Sequence, residues 1–443
     1  MINKASRTIL FAFLILAPIF IFGQDQHDHS GHDHDQHEHH DHEGHDHTGD
    51  HEEHDHYLGD PDAVVTSYCG KPHHGHGKHE ASYTDMVMHH IGDANEIHLF
   101  GDVHVPLPCI LYSKNTGLTV TMSSAFEHGH KVIDGYVLDH GVVRRIACES
   151  AAQELQSVSH TESRKEDGGI NYYAIHGDRE YLLERPAMVY NLGSASWYDL
   201  SISKNVAMMM VAVLLMFLVF NAVSKGYQKR DGQAPKGIQS FFEPLFIFMR
   251  DEVVKPIIGP KWERYMPFIM SLFFFILFCN LLGLVPFIGG PNITGNVATT
   301  LALAVFTFFV VNFSGNKHYW QHILWMPGVP TPVRLLLAPI EIAGLFIKPF
   351  TLFIRLFANI TAGHILILVL VGLIFIMGNM GESTSGAITG GLIGLPFTFA
   401  MNFLELFVAF LQAFVFALLS SIYIGSAVEE HHHDHDHDVA HAH

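Results

Sequence analysis

Two apolar runs near the C-terminal end limit what this chain can fold into more than any other feature. They extend from Leu335 to Gly378 and from Ile388 to Val428. As helices rising about 1.5 Å per residue, each is roughly 60 Å long, about twice the hydrocarbon thickness of a bilayer. Each must therefore tilt strongly, bend or fold back. No turn signal interrupts the first run, so a steep tilt is the better reading. The Gly/Ser-rich "GNMGESTSGAITGG" between them makes the pair a hairpin.

Three shorter spans precede the pair, at about Ile202 to Val223, Met266 to Pro286 and Asn296 to Phe313. Between the first two lies "IQSFFEPLFIFMRDEVVKPIIG", apolar but punctuated by charge and proline. It reads as an amphipathic helix along the cytoplasmic interface. Lys and Arg collect after the first span, before the second and after the third, whereas "PFIGGPNITG" and "GNMGESTSGAITGG" contain neither. By the positive-inside rule the basic loops are cytoplasmic and the other two periplasmic.

The first half is a different material. The 443 residues are 48% hydrophobic with a formal net charge of −19, yet the apolar residues concentrate after Ile202. This split predicts two parts in different solvents. The acidic balance gives no reason to propose a nucleic-acid partner. Residues 1–23 read as a signal peptide, with Lys4 and Arg7 ahead of a short apolar stretch. Residues 24–56 are a His/Asp-rich tract with nothing to form a core, which predicts disorder. Its His27, His29, His32, His34, His37, His39, His40 and His42 are possible weak sites for divalent metals. Residues 431–443 repeat that composition as a tail.

Residues 57–195 read as a small exported β-rich domain. "EIHLFGDVHVPLPCILYS", "LTVTMSSAF", "YVLDHGVVRRI" and "NYYAIHGDREYLLE" carry β-formers between Gly and Asn turns. His98, His104 and His140 lack a ligand spacing and read as ordinary strand or surface residues. Cys69, Cys109 and Cys148 allow at most one disulfide here, and their spacing does not say which. The fold expected overall is an all-α polytopic membrane protein with about five membrane helices, carrying this β-rich domain at its N-terminal side. Residues 196–430 are expected to form the membrane domain.

Polar residues inside the long runs are the functional candidates, because a charge at mid-membrane costs roughly 3 kcal/mol on insertion scales. Glu341, Lys348 and Arg355 are spaced by seven, so they drift only about 20° per step and share a helix face. Asn359 joins them one turn on, while His364 points roughly the opposite way from Arg355. The last run carries Asn402, Glu405 and Gln412 on one stripe. Folding the hairpin near Ser383 puts Arg355 level with Gln412 and His364 level with Glu405. His and Glu can relay protons near neutral pH. Arginine does not release its proton, so Arg355 can only gate a path or act as a counter-charge.

The segments "PIEIAGLFIKPFTLFIRLFANITAGHIL" and "LELFVAFLQAFVFALLSSIYI" resemble subunit a of the F-type ATP synthase, over about Ile202 to Glu430. The resemblance implies that Arg355 faces a ring of c subunits. It also implies that Asn359, His364, Glu405 and Gln412 line or border two half-channels, and that b subunits and the F1 sector are partners. His364 and Glu405 stand where many bacterial members have Glu and His, an exchange that some members carry. The exported domain and the His-rich tract depart from the family pattern. No GxxxxGK[ST] loop is present, so the chain is expected to be a non-catalytic, ion-translocating subunit without an ATP site or cofactor. The competing reading, a zinc or other divalent-metal transporter suggested by the His-rich tails, needs paired ligands in the membrane, and Arg355 would repel its cargo.

Overall fold

The computed structural model describes residues 70–72, 92–100, 103–166, 169–186, 196–230, 232–285, 291–325, 330–379 and 383–429. The segment read as a signal peptide, the His-rich tract with its candidate ligands, Cys69 and the His-rich tail lie outside the described residues. In chain order the strands are β1 (Lys71–Pro72), β2 (Glu96–Phe100), β3 (Val103–Pro106), β4 (Pro108–Ser113), β5 (Gly117–Met122), β6 (Tyr136–Asp139), β7 (Val142–Ile146), β8 (His160–Glu166), β9 (Gly169–His176), β10 (Arg179–Glu184) and β11 (Trp197–Asp199). The helices are α1 (Glu149–Glu154), α2 (Lys204–Lys229), α3 (Ile238–Phe248), α4 (Lys255–Ile258), α5 (Trp262–Gly283), α6 (Val297–Ser314), α7 (Lys317–Leu324), α8 (Thr331–Met377) and α9 (Thr384–Val428). Among the described residues, five helical stretches are long and apolar enough to cross a membrane.

The described residues fall into two compact units. One contains 70–72 and 125–186. Its antiparallel sheet has the order β6-β7-β10-β9-β8, and β1 also pairs with β10. His140 and Gly141 both take positive φ between β6 and β7, the two-residue turn whose twist matches that of the flanking strands. Val137, Ile146, Ala174 and Leu183 bury the apolar side of the sheet beneath α1. The strand β8, "HTESRKE", has no apolar residue and occupies an edge of the sheet. Its Arg164 bridges Glu162 at 3.0 Å and Glu180 at 2.6 Å. Cys148 is disulfide-bonded, whereas Cys109 and Cys279 are buried free thiols.

The second unit contains residues 92–124 and 196–429. The β region read from the sequence is thus apportioned between the two units, since β2 to β5 and β11 belong with the membrane helices. β2 and β3 form a hairpin, and a three-stranded sheet has the order β11-β4-β5. This sheet runs directly into α2, because Leu200 N donates to Ile110 O and Ile202 N to Pro108 O. The start of α2 is capped twice. Ser203 accepts from Val206 N, and Asp93 accepts from Asn205 N at 2.9 Å across more than a hundred residues of chain. Burial pushes the Asp93 carboxyl above the usual range, opposed by Ser203, by the backbone N–H groups and by the nearby Lys204 charge.

The helix α5 is the centre of this unit, with Ile269, Leu272, Phe273 and Ile276 wholly buried against its neighbours. The stretch before it, read as one amphipathic helix, is a broken rod. α3 passes into a π turn at Met249–Val254, then α4, and the chain turns sharply at Gly259, where φ is +71°. Met249, Val253, Val254 and Ile258 join the main core, so much of its apolar content faces protein. Asn316 closes the other end of the unit, donating from its backbone to Ala427 O and from its side chain to Val428 O.

Candidate functional site

The two longest helices pack where their residues are smallest. A Cβ at Gly390 would lie 2.7 Å from Leu373 O, and one at Gly394 would lie 2.8 Å from Leu370 O. Only glycine permits that approach, the close contact of small residues that draws helices together in lipid. The same register continues down the hairpin to Gly363, where a Cβ would stand 3.0 Å from Glu405 Oε1. One residue further, His364 Nδ1 lies 3.7 Å from Glu405 Oε1. The two side chains read as level in the sequence therefore meet across the hairpin.

Their surroundings are polar and enclosed. Glu405 is 3% exposed, and its Oε2 has no hydrogen-bond partner among the described residues. His364 and Glu405 line a small cavity together with Asn280, Asn292 and Thr294. Asn280 is fixed from both ends, donating to Ala409 O at 3.0 Å and accepting from Thr294 Oγ1. Thr361 Oγ1 donates to Gly295 O, which ties α8 to the loop before α6. Asn292 Oδ1 is a second buried acceptor left open beside this cavity. Buried polar atoms without protein partners are where water or a transferred proton is accommodated.

A second polar pocket lies earlier along α8. Lys348 shares it with Thr307, Asn312, Tyr319 and Tyr423, and the Asn312 Oδ1 and Tyr319 hydroxyl have no hydrogen-bond partner among the described residues. Lys348 Nζ sits 5.6 Å from the centre of the Tyr423 ring. Arg355 is thus seven residues beyond one pocket and nine before the other. At about 1.5 Å per residue, the centres are roughly 10 Å and 13 Å away along the helix.

Exposure separates the remaining candidates. Arg355 and Asn359 are exposed on the outside of the helix pair, while Gln412 is buried. Asn402 is exposed and donates to Thr398 O of its own helix, so the structure does not bring it to the Glu405 pair. Sequence reasoning passed over Asn280, Thr294, Asn312, Tyr319 and Tyr423. Asn280 in "SLFFFILFCNLLG" and Asn312 in "VFTFFVVNFSGN" were signalled by being lone amides in apolar spans. His98 pairs with His104 in the backbone register of the β2–β3 hairpin, and His104 Nδ1 is 3.8 Å from Glu96. Among the described residues no group of three or more His, Cys, Asp or Glu could hold a metal ion.

Residues 206–425 match the family model described as ATP synthase A chain. Residues 86–177 match a second model, described as a domain of unknown function. The chain is 44% identical over 236 residues to "ATP synthase subunit a 2" of Chlorobaculum tepidum, covering 52% of this chain and 64% of that protein. It is 42% identical over 250 residues to "ATP synthase subunit a" of Pelodictyon phaeoclathratiforme, covering 55% of this chain and 70% of that protein. A relative of the same name in Anaeromyxobacter is 34% identical over 324 residues, covering 68% of this chain and 70% of that protein.

Proposed function

This chain belongs to the ATP synthase subunit a family, and from that premise we propose that it carries protons to and from a rotating c ring through two offset half-paths. The observation that carries the reading is the placement of Arg355. It stands exposed on α8 between the His364–Glu405 cavity and the Lys348–Tyr423 pocket. Each pocket serves as the inner end of one half-path, and neither continues past the arginine.

In the first half-path a proton passes between Glu405 and His364 by way of water in the cavity. His364 accepts it as imidazolium and releases it toward the outer face of α8. Asn280 and Thr294 hold the cavity's polar wall in place. Asn359 and Gln412 border the route near the arginine. In the second half-path Glu341, Lys348 and Tyr423 line the way to the other side. Arg355 keeps its proton, so it blocks a direct leak and draws a partner carboxylate into its ionised form as that carboxylate passes. The exposure of Arg355 supports a counter-charge that meets a partner subunit rather than a buried structural ion.

The partners are the c ring, the b subunits and the F1 sector, in a bacterial inner membrane. The sequence pattern supports an N-terminal region outside the cytoplasm and a C-terminus inside it, with the His-rich segments binding divalent metals weakly. The deciding experiment is ATP-driven proton pumping by inverted vesicles carrying Arg355→Ala. A charge moving through 100 mV gains roughly 2.3 kcal/mol, so a missing gate lets that driving force run down. Pumping is expected to be abolished while assembly is intact. Near-normal pumping by the assembled variant would overturn the reading.

A further inference from the structure

The three-stranded sheet β11-β4-β5 has one face closed and one face open. Cys109, Leu111, Ser113, Thr119 and Trp197 are buried on the closed face. The other face carries Met122, Val120, Leu118, Tyr112, Tyr198 and Leu200, together with Ile110. Leu118 is 63% exposed and Val120 65%. The pairings Pro108↔Met122, Ile110↔Val120 and Tyr112↔Leu118 show that these residues line up in rows. No charged residue interrupts them. An apolar sheet face of this kind marks an interaction surface rather than ordinary scatter.

Its position identifies what covers it. The row at Pro108 and Met122 is hydrogen-bonded to Ile202, two residues before α2 begins. The next row, Ile110 and Val120, is bonded to Leu200. The helix α2 itself exposes Met210, Val211, Leu214, Phe217 and Leu218, the surface that hydrocarbon must cover in a membrane-spanning helix. The sheet face is therefore joined by backbone hydrogen bonds to Leu200 and Ile202, just ahead of a helix apolar enough to span the bilayer. Two tyrosines, Tyr112 and Tyr198, pair on it with ring centres 6.1 Å apart, and tyrosine is enriched at membrane–water interfaces.

We propose that this open face rests on the bilayer surface at the start of α2, with Leu118, Val120 and Met122 in the lipid headgroup layer. Rows two residues apart are separated by about 7 Å, so an upright sheet would lift the Leu118 row roughly 14 Å from the helix start. That is beyond a headgroup layer of roughly 5 to 8 Å on each side of the hydrocarbon. A sheet leaning against the surface keeps all three rows in contact. The apolar character continues to the outermost row, as a leaning sheet needs. Lys114, exposed at the tip of the β4–β5 turn, marks where the surface returns to water.

The test places an environment-sensitive fluorophore on Val120→Cys in the full chain, within the assembled complex reconstituted into phosphatidylcholine–phosphatidylglycerol vesicles. The same label on Lys114→Cys is the aqueous reference. Leu118→Cys is the second variant, used if Val120→Cys does not assemble. The expected result is loss of Val120 fluorescence on adding phosphatidylcholine spin-labelled near its headgroup, with little loss to iodide. The Lys114 label shows the opposite order. Quenching of the Val120 label by iodide alone would place the face in water and overturn the proposal. Shielding from both quenchers, with cross-linking to a second copy or another subunit, would show that protein covers it and overturn it equally.

Discussion

His364 Nδ1 stands 3.7 Å from Glu405 Oε1, across the interface of the two longest helices, with Gly363 providing the space for the carboxylate. The contact joins two titratable groups that lie far apart in the chain. Within the proposed half-path the two side chains act as one unit, so removing either is expected to slow ATP-driven pumping strongly. The double exchange His364→Glu with Glu405→His retains both groups and is expected to recover part of the lost rate. Pumping in all four backgrounds, with assembly checked, decides it. Strictly additive losses would show that the two residues act independently.

Gly363→Ala tests the same site without replacing a titratable group. The new methyl would press on the Glu405 carboxylate at 3.0 Å, and the buried side chain must shift to admit it. Gly344→Ala on the same helix meets nothing within 4 Å and serves as the control. Pumping is expected to fall several-fold in the first variant and to stay near normal in the second. Equal behaviour of the two would mean that the carboxylate's position is not critical.

Asp93 caps α2 from a distant segment, accepting from Asn205 N at 2.9 Å and from Ala94 N at 3.0 Å. Losing a capping side chain costs about 1 kcal/mol. Asp93→Ala is expected to raise hydrogen exchange at the first-turn amides of α2 about five-fold, in keeping with that cost. Asp93→Asn keeps an acceptor and is expected to change exchange much less. Mass-spectrometric exchange on the full chain reads both.

Glu162 makes the stability of the sheet edge depend on pH. Burial opposes its ionisation, but hydrogen bonds from His160 and Arg164 outweigh that and hold the carboxyl below the usual range. A depressed carboxyl stabilises the fold above its unfolded pKa and loses that contribution as pH falls through the folded value. Protection of the β8–β9 amides is therefore expected to drop on acidification below the normal glutamate range. Glu162→Gln is expected to flatten that drop while lowering protection at neutral pH. An unchanged acid profile in the variant would show that Glu162 is not part of the response.

Parts of the fold were legible because they rest on local chemistry. Run length and unbroken apolarity require the long helices of the hairpin, since only helices and closed barrels satisfy the backbone in lipid and barrel strands are short and alternating. The strands β4 to β7, β9 and β10 follow from β-formers between turn residues, and the turn at His140 and Gly141 is encoded locally. Strand β8 was not legible. "HTESRKE" has no apolar alternation, and it is a strand because β9 offers it an edge and Arg164 finds Glu180 across the sheet.

The site divides in the same way. Counting from the Gly/Ser-rich loop put His364 level with Glu405, because a hairpin of two continuous helices has a nearly fixed register. Depth along the membrane is a property of sequence position. Direction around the helix is not, when all sides are apolar. α8 and α9 are greasy on every face, so periodicity cannot say which face meets a neighbour. That was decided by where backbones can approach, at Gly363, Gly390 and Gly394. Those contacts turn Glu405 and Gln412 inward and leave Arg355, Asn359 and Asn402 on the outside. They also bring Asn280 and Thr294 from other elements to the cavity wall. The sequence by itself determined which polar residues the membrane helices carry and at what level. Only tertiary packing decided which of them share a cavity, because the close approach of helix backbones, not hydrophobic patterning, selects the buried face.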